Sequence, residues 1–327
     1  MPHASRPARH PLPPDSAASS AAQDGSFRVI ALTLSHALEE ARASHGTLPV
    51  ATAALGRALA GAGLLALTFK GEGRLTLRIL GNGPLGAVVA DASPRGDLRG
   101  YVQNPRVMLP PNREGKLDVG RAVGPDGRLH VSHDIGLRIP YAGSVPLTTG
   151  EIGEDLAVYL DRSAQIPSAV TLGVRVGTAG VVLGAAGILV QRMPPLDHPF
   201  GDTDEADDAQ AWRETAGRIE AALDTLGPVS SAAEAGLDAR ALLEHAFAGY
   251  PHGQVTTLPI RWQCTCSRER TGRLLRAMGA DSLEEMADED GGAELRCHFC
   301  GRTYQFDADE LRRFAAEARQ PSSHHPS

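Results

Sequence analysis

Four cysteines near the C-terminal end constrain this chain more than any other feature. Cys264 and Cys266 form one pair, Cys297 and Cys300 form the other, thirty residues separate the pairs, and the sequence holds no further cysteine. Gly301 follows the second pair and permits the tight backbone turn of a zinc knuckle. Four thiols with none to spare predict a closed, tetrahedral metal site with all-thiolate ligation, which suits zinc.

The residues alone leave three uses of these thiols open. A structural zinc site is the commonest use of a four-cysteine cluster in a soluble protein. A disulfide framework is disfavoured, because 4 cysteines in 327 residues fall far short of the density in secreted disulfide scaffolds. Thiol redox chemistry is favoured by the C-x-C pair, since a thiol attacked by an oxidant can form a disulfide with its neighbour.

Three stretches of sequence resemble one known family. CTCSRER at 264–270, followed after about thirty residues by CHFCG at 297–301, resembles the redox-regulated 33-kilodalton heat-shock chaperone family, whose hallmark is C-x-C and then C-x-x-C at this distance. GNGPL at 81–85 and RSAQIP at 162–167 resemble parts of the N-terminal domain of that family. The resemblance extends over nearly the whole chain, apart from the first 25 residues and the last ten or so.

The resemblance implies a function and a mechanism. The protein would be an ATP-independent holdase, not an enzyme, that binds unfolding client proteins under oxidative stress. In the reduced form the four cysteines would hold one Zn²⁺ per chain, and oxidation would pair Cys264 with Cys266 and Cys297 with Cys300. Each disulfide removes two ligands, so zinc is lost and the module unfolds. The active form would be a homodimer, and in the inactive form the linker would lie over the N-terminal domain.

Composition predicts a cytoplasmic globular protein. Hydrophobic residues make up 42% and charged residues 22% of 327 residues, enough chain for two or three domains. A net charge of −7 argues against a general or specific nucleic-acid binder, and no apolar run approaches the about 18 residues of a membrane span. Residues 1–25 lack the continuous apolar stretch of a secretory signal and are predicted to form a disordered tail. Cytoplasmic thiols are reduced at rest, so a disulfide there would form only in response to an oxidant.

Residues 26–194 are predicted to form the chaperone core and dimerisation domain, an α+β fold of two antiparallel sheets packed with helices. Apolar periodicity predicts helices at 35–44, 49–67 and 151–164. Apolar, β-branched runs between glycine-rich turns predict strands at 27–34, 74–80, 87–92, 98–103, 128–133, 139–146, 169–176, 180–183 and 187–193.

A glycine-rich stretch at 81–84 invites comparison with a phosphate-binding loop. It joins two predicted strands rather than a strand and a helix, and no Gly-Lys-Ser/Thr follows it. The sequence therefore lends no support to an ATP-driven mechanism.

Residues 195–258 are predicted to form a linker that is acidic at first and then helical. Six acidic side chains lie between Asp197 and Asp208, and their simplest role is solvation. Helices are predicted at 209–226 and 237–247, each with an apolar face. That face either packs permanently on the first domain or belongs to a switch segment that docks in the reduced chain and is released in the oxidised one.

Residues 259–318 are predicted to form the zinc-binding module, and residues 319–327 a second disordered tail. Helices are predicted at 268–278, from Ser282 with Glu285 completing a capping box, and after Asp307 with Glu310 in the same role. A hairpin is predicted between 293–296 and 302–306. So few apolar residues give a marginal core, whereas zinc binding supplies roughly 10–16 kcal/mol to such peptides, so the fold should depend on the metal. His298 is expected to be exposed and unliganded.

Two other functions are compatible with a four-cysteine cluster. A constitutive zinc-ribbon interaction module, associated with the ribosome or a polymerase, would use the basic face of the first zinc-module helix, formed by Arg268, Arg270, Arg273 and Arg276. Acidic residues over 281–290 and the lack of an aromatic-basic patch argue against it. A thiol-disulfide oxidoreductase would need C-x-x-C at a helix N-terminus in a thioredoxin-like context, whereas here it lies between two predicted strands.

Overall fold

The chain divides between Gln263 and Cys264 into two units. The structure, a computed structural model, describes residues 12–134, 141–193 and 205–319, with side chains from residue 210 onward in the last range. Residues 1–11 and 320–327 of the two predicted tails, the start of the strand predicted at 139–146 and most of the acidic stretch lie outside the described residues.

Two sheets build the described part of the first unit. The five-stranded sheet has the order β10-β1-β2-β9-β8 and the six-stranded sheet the order β11-β5-β4-β3-β6-β7. Neighbours are antiparallel except β11 and β5, which are parallel. The strands are β1 (Ser16–Ala21), β2 (Phe27–Thr33), β3 (Arg74–Leu80), β4 (Ala87–Ala92), β5 (Asp97–Val102), β6 (Arg128–Asp134), β7 (Tyr141–Pro146), β8 (Ser168–Val176), β9 (Val182–Arg192), β10 (Thr256–Pro259) and β11 (Arg261–Trp262). Together with the helices, they confirm the predicted α+β fold.

A nearly all-apolar helix lies between the two sheets. The helices of the first unit are α1 (Ser35–His45), α2 (Pro49–Ala66), α3 (Val119–Val123), α4 (Gly153–Arg162), α5 (Glu205–Leu226), α6 (Val229–Glu234) and α7 (Ala239–Ala246). Helix α2 packs on β4 of one sheet and on β8 and β9 of the other, and every residue except Pro49 and Arg57 is buried. It is long and apolar enough to cross a membrane, but 89% of it is buried inside the protein, as expected of a core helix.

Both faces of the five-stranded sheet are apolar. On β2, Ile30 and Leu32 face the central core around α2, whereas Val29 and Ala31 face a second cluster. Helix α6 packs on β8 and β9, and helix α7 packs on β1, β2 and β9. The linker helices therefore cover an apolar surface that would otherwise meet water. We call it the linker-covered face: Phe27, Val29, Ala31, Ala186, Ile188 and Val190.

The N-terminal prediction differs from the structure. A disordered tail was predicted through residue 25, whereas Ser16–Ala21 form β1, which pairs with β2 on one side and β10 on the other. Just before this strand, Asp15 accepts hydrogen bonds from the backbone N–H groups of His36 (3.2 Å) and Ala37 (2.7 Å) and so caps α1. The strand was missed because its Ser and Ala residues show no alternation of large apolar and polar side chains.

One strand stands where two were predicted. The runs at 180–183 and 187–193 belong to a single strand, β9, and the glycines between them do not interrupt it. Gly184 permits a close approach of α6, since a Cβ at this position would lie 2.2 Å from the carbonyl oxygen of Ser230. Glycine at this position therefore permits close packing of α6 on the strand and does not mark a turn.

A short segment, residues 256–262, joins the two sheets, and we call it the strap. Its first part, β10, pairs with β1, and its second part, β11, pairs with β5. Leu258, Ile260 and Trp262 pack into the central core, and the Gln263 N–H donates to the Leu98 carbonyl at 2.8 Å. The predicted zinc module began at residue 259, but these strands belong to the first unit.

The second unit is small and has a thin core. It contains α8 (Arg268–Arg276), α9 (Ala280–Glu285), a π-helical turn (Met286–Asp290), β12 (Gly292–Arg296), β13 (Thr303–Asp307) and α10 (Ala308–Arg319). Its described core holds six buried apolar side chains: Leu275, Leu283, Ala287, Phe306, Leu311 and Ala315. The predicted β12–β13 hairpin is confirmed.

One of the two predicted capping boxes in this unit is present. The Glu310 N–H donates to Asp307 Oδ1 at 2.8 Å, and the Asp307 N–H donates to Glu310 Oε2 at 3.2 Å. The box predicted at Ser282 is wrong, because α9 begins earlier, at Ala280, directly after Gly279 with φ 92°. Gly279, which the sequence predicts as the end of the preceding helix, also sets the start of α9 through its positive φ.

Candidate metal centre

Two local structures place the four cysteines. Cys264 and Cys266 precede α8, whose first turn is capped by Ser267: its Oγ accepts from the Arg270 N–H at 3.1 Å. Cys297 and Cys300 lie in the connection between β12 and β13. There the Gly301 N–H donates to the Cys297 carbonyl at 2.8 Å, with Gly301 at φ 71°. A capped helix start and a glycine-dependent turn therefore hold the two pairs.

All four sulfur atoms come together. They lie within 4.8 Å of one another, with Cys264 Sγ and Cys297 Sγ 3.6 Å apart and Cys266 Sγ and Cys300 Sγ 3.4 Å apart. A tetrahedral site with Zn–S bonds of about 2.3 Å has sulfur–sulfur edges of about 3.8 Å. The cluster could therefore hold a metal ion, and a donor set of four sulfurs suits zinc rather than magnesium or calcium.

Every predicted ligand belongs to this cluster. His298, which stands within the knuckle, is exposed and is not one of its members. The four cysteines are half-buried, and none of them forms a disulfide. The site therefore offers its sulfurs both to a metal and to small oxidants from solvent.

The surroundings separate the pKa values of the thiols. Burial raises the pKa of Cys264, and burial together with the neighbouring thiols raises the pKa of Cys300 to about 12. Burial also acts on Cys266, but hydrogen bonds from Tyr304 and the other thiols outweigh it and lower the pKa of Cys266 to about 7. The Tyr304 hydroxyl donates to Cys266 Sγ at 3.1 Å.

No signal in the sequence predicts this contact of Tyr304. Tyr304 lies on β13 opposite Leu295, and its ring packs against the small core. A tyrosine four residues after a ligating cysteine carries no signal of its own. Only the hairpin register shows that its hydroxyl reaches the first cysteine pair.

The arginines of α8 are engaged within the second unit. Arg268 pairs with Glu310 at 2.7 Å and lies over the Phe306 ring, and Arg276 pairs with Glu317 at 2.7 Å. Arg273 pairs with Glu269 at 3.1 Å on the same helix. Three of the four arginines on this helix are therefore paired with a carboxylate of the same unit.

Comparisons with known proteins agree along the chain. A family model described as Hsp33 protein matches residues 15–307. The 33 kDa chaperonin of Bacillus licheniformis is 40% identical over 290 residues, covering 89% of this chain and 95% of the relative. That of Geobacter sulfurreducens is 41% identical over 291 residues, covering 89% and 91%. The crystal structure of the 33 kDa chaperonin from Thermotoga maritima superposes with a TM-score of 0.80 at 35% identity, covering 93% of this chain and 98% of that one.

Proposed function

The chain belongs to the Hsp33 protein family, and from that premise we propose that it is a redox-regulated, ATP-independent holdase. The family is one of chaperones rather than enzymes, so binding of client proteins follows from membership. Regulation by thiol oxidation is the finer claim. The observation that carries it is the gathering of four half-buried thiols in a unit with only a thin core of its own.

In this proposal Cys264, Cys266, Cys297 and Cys300 hold one Zn²⁺ per chain in the reduced protein. Zinc bound to four thiolates would contribute roughly 10–16 kcal/mol of apparent binding energy to the folding of such a module. Six buried apolar side chains, two of them alanines, form a small core for that unit. The fold of residues 264–319 therefore depends on the thiolates staying reduced.

Oxidation acts on the same four residues. Peroxide transfers one oxygen atom to a thiolate and leaves as hydroxide, and a second thiol then displaces water from the resulting sulfenic acid to form a disulfide. The proposed disulfides are Cys264–Cys266 and Cys297–Cys300. Each withdraws two thiolates from the ligand set, so the module loses the main contribution to its stability and unfolds.

Client binding then follows from the linker. The proposed organisation is a core that extends from β1 to residue 194, a linker that contains α5, α6 and α7 and ends in the strap, and a redox module that begins at Cys264 rather than at residue 259. Helices α6 and α7 cover an apolar sheet face, and in this proposal unfolding of the module releases them from it. The linker-covered face then becomes a surface for unfolding proteins. The active form is a homodimer, and the protein works in the cytoplasm, where thiols are reduced at rest.

One experiment tests the proposal as a whole. Suppression of aggregation of a thermally unfolding client is measured with the zinc-loaded reduced protein and with the same protein after peroxide treatment, while a chromogenic chelator reports zinc release. We expect only the oxidised, zinc-free form to suppress aggregation, and a reductant with zinc to reverse it. Sedimentation velocity should show the oxidised form as a dimer. Retention of zinc through oxidation, or equal behaviour of both forms, would instead support a constitutive zinc-ribbon module.

A further inference from the structure

One aromatic hydroxyl lies against the metal-binding sulfurs. Tyr304 Oη lies 3.1 Å from Cys266 Sγ and donates its proton to that sulfur. The ring is half-buried against the core of the second unit, and the strand pairing of Tyr304 with Leu295 fixes its position. Arg302, two residues earlier, interacts with the same hydroxyl. The contact is therefore held by packing on one side and by a charged neighbour on the other.

A hydrogen bond to a ligating sulfur changes its chemistry. Groups that hold the ligands of a metal in orientation contribute to the site almost as much as the ligands themselves. A sulfur that shares its charge with a donated proton is also a weaker nucleophile, because thiolate nucleophilicity falls with basicity. Its attack on peroxide, which forms a sulfenic acid and then a disulfide with release of water, is slowed accordingly.

We propose that Tyr304 is a positioning residue that sets the oxidation threshold of the cysteine cluster, through the hydrogen bond from its hydroxyl to Cys266 Sγ. This inference rests on the proposed function, since control of the oxidation of the cluster matters only if oxidation of the cysteines regulates the protein. The hydroxyl slows the oxidation of the reduced cluster, so that a higher concentration of peroxide is needed to oxidise it within a given time.

Tyr304→Phe tests this inference because it removes the hydroxyl and keeps the ring. Two readouts are taken on the full-length reduced protein without any client: the sulfur-to-metal charge-transfer band after substitution with Co²⁺, and the second-order rate of zinc release by hydrogen peroxide. We expect the band to move to longer wavelength, because the sulfur becomes more electron-rich, and the rate to rise about tenfold. An unchanged band or an unchanged rate overturns the proposal.

Two further variants keep the test decisive. Tyr250→Phe is the matched control, because this tyrosine packs edge-on against Phe27 in the first unit, and it should leave both readouts unchanged. 3-Fluorotyrosine at position 304 donates a stronger hydrogen bond and preserves the packing. It should move the band to shorter wavelength and slow zinc release, and it replaces the phenylalanine variant should that one fail to fold. Movement in the same direction as in Tyr304→Phe overturns the proposal.

The redox-regulated holdase function and the role of Tyr304 are tested separately. If oxidation does not control client protection but the band and the rate respond to the hydroxyl, the holdase proposal falls and the role of Tyr304 stands as a property of the metal site. If oxidation controls client protection but neither readout responds, only the role of Tyr304 falls.

Discussion

Replacing Phe247 with alanine should switch on the reduced protein. Phe247 directly follows α7 and is 1% exposed. Its ring centroid lies 5.5 Å from that of Phe27, on the linker-covered face, and 4.3 Å from that of His252, on which it stacks. The side chain therefore fastens the linker to the sheet without taking part in the central core.

The size of the effect follows from these contacts. Truncation of a buried phenylalanine to alanine costs about 3–5 kcal/mol, of which the aromatic pair accounts for roughly 0.5–1.5 kcal/mol. The cost falls on the docking of α7, since the contacts join the linker to β2. At about 1.4 kcal/mol per factor of ten, local opening of α7 becomes about 100- to 4,000-fold more frequent.

Two measurements on the reduced, zinc-loaded variant check this prediction. Hydrogen exchange should show the loss of protection over 239–247, and the variant should suppress client aggregation without peroxide. Leu59→Ala is the matched control, because Leu59 is fully buried in α2 between the sheets. Its truncation costs about 2–5 kcal/mol, which is similar to the cost of truncating Phe247. The control should lose overall stability but gain no activity when reduced. A Phe247→Ala protein that loses protection as predicted and still leaves aggregation unchanged would refute the linker-covered face as the client surface.

Three further predictions concern other parts of the molecule. Gly184→Ala places a Cβ 2.2 Å from the Ser230 carbonyl and should weaken the docking of α6 by about 1–3 kcal/mol in urea unfolding, whereas Gly217→Ala, with nothing within 4 Å, should not destabilise the protein. Burial raises the pKa of Asp15 in the folded protein, so the folded protein binds this proton more tightly than the unfolded chain does. The free energy of unfolding of the wild type, relative to that of Asp15→Asn, should therefore be largest below about pH 4 and should fall as the pH rises through the raised pKa. Chelation of the metal under reducing conditions should abolish hydrogen-exchange protection over 264–319 and leave that of α2 intact, and retained protection over 264–319 would contradict a metal-dependent fold.

Five of the six strands of the six-stranded sheet, β3 to β7, could be predicted closely because their signal is local. The bounds of β3 and β4 match the predicted ranges, since alternating apolar residues and flanking glycines state both the face and the ends of each strand. Strand β1 has no such signal, because its Ser and Ala residues become a strand only between two partners supplied by distant parts of the chain. Strands β10 and β11 were missed for the same reason, as their partners lie more than 150 residues away.

The residues of the candidate site also differ in whether the sequence predicts them. The four cysteines could be recognised because a metal site needs a fixed number of ligands at a fixed spacing, and the fold brings all four together. Tyr304 could not, because its contact with Cys266 spans 38 residues and depends on the hairpin register. The pairing of the thiols also depends on the three-dimensional structure. Contacts of 3.4 and 3.6 Å join sulfurs of different pairs, whereas the proposed disulfides join sulfurs within a pair.

The strap supplies one edge strand to each sheet: β10 lies next to β1, and β11 lies next to β5. While residues 256–262 stay in place, β1 and β5 are interior strands with hydrogen-bonded neighbours on both sides. Detachment of this one segment would uncover two strand edges at once, one on each sheet, each with a row of unpaired N–H and C=O groups. Such edges accept any extended chain through backbone hydrogen bonds, largely without regard to its side chains. The seven residues of the strap therefore protect both sheets from edge-to-edge association with other chains.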